Sequence, residues 1–238
     1  MPIKAVLFDM FDTLMLIEKN HAFYNPSLKR AHKFLVKNGI DVGFKVFRDA
    51  YIKARDSLYL NADANLEEPH FNCRIFNALE SLGYANVEIK VIKGSTNEFC
   101  EEFMKYVRID DHAENALKIL HRKYKLGIVS NFAIPECVDR LLENHGLDTF
   151  FDVVVVSGAV NKRKPSPEIF LRALKELGVS PENTVFVGDT VDADLIGAKA
   201  VGMKSIFIER RLQENVKQVL PNRIIKSLSE LLEAIKKC

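Results

Sequence analysis

Apolar residues fall along this chain in two rhythms. The first is a short unbroken run: VLF at 6–8, LGIV at 126–129, VVVV at 153–156, VFV at 185–187 and IFI at 206–208. Runs of this length read as strands buried on both faces, the situation of a parallel sheet. The second rhythm is helical. Ala113, Ala116, Leu117 and Leu120 share one helix face, as do Ile134, Val138, Leu141 and Leu142, and then Phe170, Ala173, Leu174 and Leu177. Pro167 suits the first turn of the last of these. A further helix is expected from Leu195 to Val201. Ser227 and Glu230 have the spacing of a capping box, opening a C-terminal helix through Leu228, Leu231, Leu232 and Ile235. Strand and helix in alternation predict an α/β fold whose parallel sheet is covered by helices on both faces.

The alternation is interrupted once. After the first strand come helical faces without convincing strands: Leu28, Ala31 and Leu35, opened by Pro26; Phe47, Ala50, Tyr51 and Ala54; Ile75, Ala78, Leu79 and Leu82; then Phe99, Phe103 and Val107. Gly39, Gly83 and Gly94 lie where these helices would stop. The block reads as a bundle of about four helices set into the sheet domain. The expected division is a sheet domain of residues 1–15 and 105–238, with residues 16–104 as the helical insertion.

Composition narrows the function classes. At 238 residues there is ample material for a core, and a net charge of +2 gives no electrostatic case for nucleic acid or an anionic membrane. The basic run Lys162-Arg163-Lys164 is too short for a nucleic-acid patch. Cys73, Cys100, Cys137 and Cys238 show no zinc-ligand spacing and read as thiols of a reducing compartment. The N-terminus enters a core strand directly, which leaves no expected signal peptide, and no apolar stretch reaches bilayer length. The expectation is a soluble cytoplasmic protein acting on a small molecule, with no nucleic-acid or membrane partner and its oligomeric state open.

The candidate chemistry sits at strand ends. VLFDMFDTL drives an apolar run into Asp9, with Thr13 four residues on. Ligands of open α/β sheets bind beyond the carboxyl ends of such strands. LGIVSN ends in Ser130 and Asn131, RKPSPEIF sets Lys164 just before a helix, and VFVGDTVDAD ends in Gly188 and Asp189 with Asp194 on the next turn. Each has a plain structural reading: a turn for Asp9, a helix N-cap for Ser130 or Asn131, a surface charge for Lys164, a helix-dipole partner for Asp194. Asp192 reads as a solvated loop charge. His21, Phe23, Tyr24 and Asn25 lie near the start of the insertion, where substrate contact and ordinary packing explain them equally.

In order and spacing, these segments together resemble the four motifs of the haloacid dehalogenase superfamily of hydrolases, over residues 5–208. The resemblance implies a Rossmann-like parallel sheet with helices on both faces and an inserted α-helical cap. It implies Asp9 as the nucleophile that carries the covalent aspartyl intermediate, with Thr13 bracing its loop. Ser130 would bind the phosphoryl oxygens, Asn131 would assist by amide donation, and Lys164 would neutralise charge at both nucleophile and phosphoryl group. Mg2+ would be held by Asp9, Asp189 and the backbone carbonyl of Phe11, with Asp194 acting through water.

One position departs from the family pattern. Phosphatases of this superfamily usually carry a second Asp two residues after the nucleophile, as general acid and base; here it is Phe11. A phenyl ring leaves the backbone carbonyl in place and moves no proton. Asp12 is a possible substitute acid, although neighbouring side chains on extended chain point apart. Metal-free haloacid dehalogenases carry an aromatic residue at this place, which raises that alternative. They also rely on an early cap arginine, for which Arg30 and Arg48 are the candidates. Against it, the intact pair Asp189 and Asp194 has no role without a metal. A magnesium-dependent phosphatase therefore ranks first, before a 2-haloacid dehalogenase using Asp9 and a non-catalytic phosphate-binding protein.

Overall fold

A computed structural model describes residues 2–17, 22–210 and 219–238; His21, named above, lies outside the described residues. The chain begins β1 (Ala5–Phe8), β2 (Met15–Ile17), α1 (Tyr24–Lys37), α2 (Phe44–Ala62), α3 (Phe71–Ser81), α4 (Ile89–Phe103) and β3 (Val107–Ile109). It continues α5 (Ala113–His121), β4 (Lys125–Ser130), α6 (Pro135–Asn144), β5 (Val153–Val156), α7 (Ser157–Val160), α8 (Pro167–Leu177) and β6 (Thr184–Gly188). The last elements are α9 (Ile196–Ala200), β7 (Lys204–Ile208), β8 (Arg223–Ile225) and α10 (Leu231–Lys236).

Six strands form one sheet in the order β5-β4-β1-β6-β7-β8, and every pairing in it is parallel. Strand side chains alternate between faces, so the apolar runs feed two layers at once. Val6 and Phe8 pack with Leu117 of α5, Val138 of α6 and Leu231 of α10. Ala5 and Leu7 face the other way, to Phe170 and Leu174 of α8 and Ala198 of α9. This is the expected α/β sheet with helices on both faces. The capping box forms as read: Ser227 and Glu230 exchange bonds ahead of α10.

All four helices of the insertion lie between β2 and β3, α1 against α4 and α2 against α3. Leu28, Phe47, Ile75 and Phe99 belong to the same apolar cluster as Phe8, so the first core layer runs on into the insertion. Gly39 and Gly83 end helices at φ +89° and +90°, where a side chain would be strained.

Three expectations need correction. Gly94 stops nothing: it lies inside α4, where a Cβ would come 2.3 Å from the Phe34 ring of α1, so the glycine permits a close helix–helix approach. Val107 continues no helix, because it opens β3, which pairs antiparallel with β2 (Met15 opposite Ile109, Ile17 opposite Val107). Strands of three residues carry too few positions for a periodic signal, and β8 escaped notice for the same reason. The helix expected from Leu195 is preceded by a π-helical turn over Val191–Leu195.

Candidate active site

From β1 the chain moves outward through β4 and β5, then returns to the far side of β1 and moves outward again through β6, β7 and β8. The direction reverses between β1 and β6, and open α/β sheets leave a crevice beyond the strand ends at that point. Asp9 follows β1 and Asp189 follows β6. The Asp9 N–H donates to the Val187 carbonyl at 2.8 Å, extending the pairing one residue past the strand. Ser130 is the last residue of β4, on the other flank of β1.

Asp9, Asp189 and Asp194 converge there: each presents a carboxylate oxygen, all within 4.8 Å of one another, and all three residues are buried. Lys164 enters from the loop before α8. Its Nζ lies 2.6 Å from Asp9 Oδ1 and 2.7 Å from Asp194 Oδ1. Asp194 therefore holds the lysine as well as opening a helix. The π-helical turn aims it: Thr190 N–H donates to Asp194 Oδ2 at 3.0 Å, and Asp194 N–H donates back to the Thr190 carbonyl at 2.9 Å. Gly188 is required by the same packing, since a Cβ there would fall 2.3 Å from Asp194 Oδ2.

Burial dominates the electrostatics. It pushes the Asp9 carboxyl up to about 7, with Asp194 and Asp189 adding to the rise and Lys164 opposing it. The two carboxylates hold the lysine protonated, above its ordinary value despite burial. Three carboxylates whose oxygens lie this close together offer the hard oxygen donors that a divalent cation takes.

Asn131 bonds twice to the backbone of Lys164. Its Oδ1 accepts the Lys164 N–H at 2.7 Å and its Nδ2 donates to the Lys164 carbonyl at 3.0 Å. The side chain is spent on the lysine's backbone, which fixes where Nζ points. Two hydroxyls stand otherwise. Ser130 Oγ and Thr13 Oγ1 are buried and have no hydrogen-bond partner among the described residues. A buried unpaired hydroxyl is costly, and a bound phosphoryl group beside Asp9 is a ready partner.

The loop after β1 turns sharply. Asp12 takes a left-handed φ of +59°, and its Oδ1 accepts the Ile17 N–H at 3.3 Å. It is not among the clustered carboxylates. The Phe11 ring packs on Phe103 at 5.7 Å and Phe132 at 4.9 Å between centroids, in a group with Phe23. Arg210, just past β7, was missed from sequence. Its guanidinium donates to the Asp12 and Thr13 carbonyls at 3.0 and 2.8 Å and pairs with buried Asp110 at 2.8 Å. A charge directly after an apolar strand, as at Asp9, was the available signal. Arg30 and Arg48 pair with Glu98 and Asp49 on the insertion's own helices. The exposed Asn25 does not line the cavity beside Phe132, which Phe23 and Tyr24 do.

The sequence profile of the haloacid dehalogenase-like hydrolases matches residues 3–202. The chain belongs to that family. Among relatives of this hydrolase, a glyceraldehyde 3-phosphate phosphatase of Methanopyrus kandleri is 27% identical over 98% of this chain and 97% of its own. A HAD phosphatase of Thermococcus onnurineus has a solved structure with TM-score 0.62 and 27% identity, covering 97% of each chain. A 2-haloacid dehalogenase of Pseudomonas syringae superposes with TM-score 0.73 over 99% of each chain at 23% identity, a likeness of fold alone. No described helix of this hydrolase is long and apolar enough to cross a membrane.

Proposed function

We propose that this hydrolase is a magnesium-dependent phosphatase of small phosphorylated metabolites, acting in the cytoplasm through an aspartyl-phosphate on Asp9. The observation that carries the reading is the buried cluster of Asp9, Asp189 and Asp194 with Lys164 bridging two of its members. The donor set is all oxygen and suits Mg2+, which Asp9, Asp189 and the Phe11 carbonyl would hold, with Asp194 acting through water. Bound there, the cation supplies charge neutralisation for the phosphoryl oxygens.

The remaining work falls to the chain itself. An Asp9 oxygen attacks phosphorus, the ester P–O bond breaks, and its electron pair leaves on the alcohol oxygen. Lys164 offsets charge on the nucleophile and on the group in flight, an effect that is strongest where water is excluded. Ser130 and Thr13 hydroxyls supply hydrogen bonds to the phosphoryl oxygens. Water then cleaves the aspartyl-phosphate at phosphorus, giving inorganic phosphate and the free carboxylate. The phosphatase names of relatives aligned along nearly the whole chain support the same reaction class.

Metal-free dehalogenation on Asp9 draws support from Phe11, yet gives the acidic cluster no task. The experiment is phosphate release from a phosphoester panel, and halide release from 2-chloropropionate, with Mg2+ and with EDTA. Phosphate release that needs Mg2+ and vanishes in Asp9→Asn is expected. Halide release undiminished by EDTA would overturn the proposal in favour of the dehalogenase.

A further inference from the structure

Between the insertion and the sheet domain lies a cavity of about 240 Å3. Its floor is Asn131 to Ile134, the segment directly after Ser130, so it adjoins the phosphoryl position proposed above. Phe23, Tyr24, Phe71, Phe99 and Phe132 give it aromatic walls. Phe132 also meets the Phe11 ring, so the aromatic surface reaches back to two residues from Asp9.

The polar end of the cavity is paired except at Arg74 Nε, which is buried with no hydrogen-bond partner among the described residues. Arg74 lies 3.2 Å from Glu68 and both are largely buried; Tyr59 donates to Glu68 and receives from Arg74. Glu68 cancels the Arg74 charge, so a charged leaving group gains no net counter-charge from the described lining residues, while Arg74 Nε–H is left for a neutral acceptor on the ligand. The volume admits one ring with small substituents and falls below the roughly 300–1,000 Å3 of sites for larger ligands.

A second observation concerns protons. The residue two after Asp9 offers no proton to a departing oxygen. Phe11 is apolar, Asp12 faces the Ile17 N–H, and Lys164 is held between two carboxylates. Burial raises the Tyr59 phenol above its usual range, making it a poorer acid still. Without a positioned acid, only an oxygen that is stable as an anion leaves easily.

We propose that this site selects phosphomonoesters of uncharged, single-ring aromatic alcohols, with the ring seated against Phe23, Phe71 and Phe132. The inference rests on the phosphatase reading. As the P–O bond breaks, the electron pair stays on the aryl oxygen and delocalises into the ring. Solvent later protonates the phenolate, and no enzyme group is asked for that proton.

The test compares phenyl phosphate, cyclohexyl phosphate, O-phosphoserine and acetyl phosphate, in Mg2+, on wild type, Phe23→Ala and Phe11→Asp. Acetyl phosphate has a good leaving group but no ring, so it reports phosphoryl transfer and folding independently of the cavity. Expected are a kcat/KM for phenyl phosphate about a hundredfold above cyclohexyl phosphate, and a KM for phenyl phosphate that rises several-fold in Phe23→Ala while acetyl phosphate turnover is kept. Phe11→Asp should narrow the phenyl-to-cyclohexyl gap. Acetyl phosphate hydrolysis with equal kcat/KM for phenyl, cyclohexyl and seryl esters would overturn the inference alone, as would an unchanged phenyl phosphate KM in Phe23→Ala. No phosphate released from any of the four would overturn the phosphatase reading and this inference with it.

Discussion

Asn131 grips Lys164 by both its backbone N–H and its carbonyl, accepting from the first at 2.7 Å and donating to the second at 3.0 Å, across thirty-three positions of sequence. The amide thus sets the base of the side chain whose Nζ reaches Asp9 and Asp194. Asn131→Ala should lower kcat about ten- to a hundredfold, the usual range for losing a group that orients a functional residue. Asn131→Asp keeps the acceptor and loses the donor, so it should fall between. The check is kcat and KM on acetyl phosphate. A rise in KM with kcat untouched would instead make Asn131 a direct substrate contact.

Arg210 binds the loop after Asp9 from the far side. It spans the Asp12 and Thr13 carbonyls and the Asp110 carboxylate, which itself accepts the His112 N–H at 2.9 Å. Arg210→Met strands a mostly buried carboxylate and should cost on the order of 3 kcal/mol of stability, read by urea unfolding. Asp110→Asn alone should cost less, and the double variant should cost less than the sum. Strict additivity would show that the pair is not coupled.

Protons and Mg2+ compete for Asp9. A carboxyl raised to about 7 is ionised above that pH and increasingly neutral below it. Burial of the anion is the largest cause, and a cation at the cluster relieves it. Mg2+ affinity should hold above pH 7 and fall as pH drops through it, measured by calorimetry on wild type. Asp9→Asn should bind more weakly and lose most of the pH dependence in this window. An affinity independent of pH between 6 and 8 would show that Asp9 is already ionised in the free protein.

The strands and core helices were legible because their signals are local. A parallel strand buried on both faces must be continuously apolar, and a helix facing a sheet must repeat its apolar residues every three or four positions. Asp9, Ser130, Lys164 and Asp189 were legible for a related reason. Sheet topology places the residues that follow apolar strands at one edge, so Asp9, Ser130 and Asp189 stand out as a candidate site, and Lys164 by its place just before a helix. Gly94 misled because the same residue that ends helices also lets helices approach closely, and only the Phe34 ring distinguishes the two uses.

The tertiary structure decided the rest. That Asn131 holds Lys164 and Arg210 holds the Asp12 loop depends on bonds between residues far apart in sequence, which no window of the chain contains. The left-handed turn at Asp12, and the bond from the Ile17 N–H to its Oδ1, likewise have no signal in the sequence. The charge-cancelled Arg74–Glu68 pair carries no sequence signal, since a helix arginine is ordinarily solvated. Sequence fixes which groups are available at the strand ends. The folding of the loops at the sheet's edge decides which of them bond to each other, because burial makes every unpaired polar atom costly.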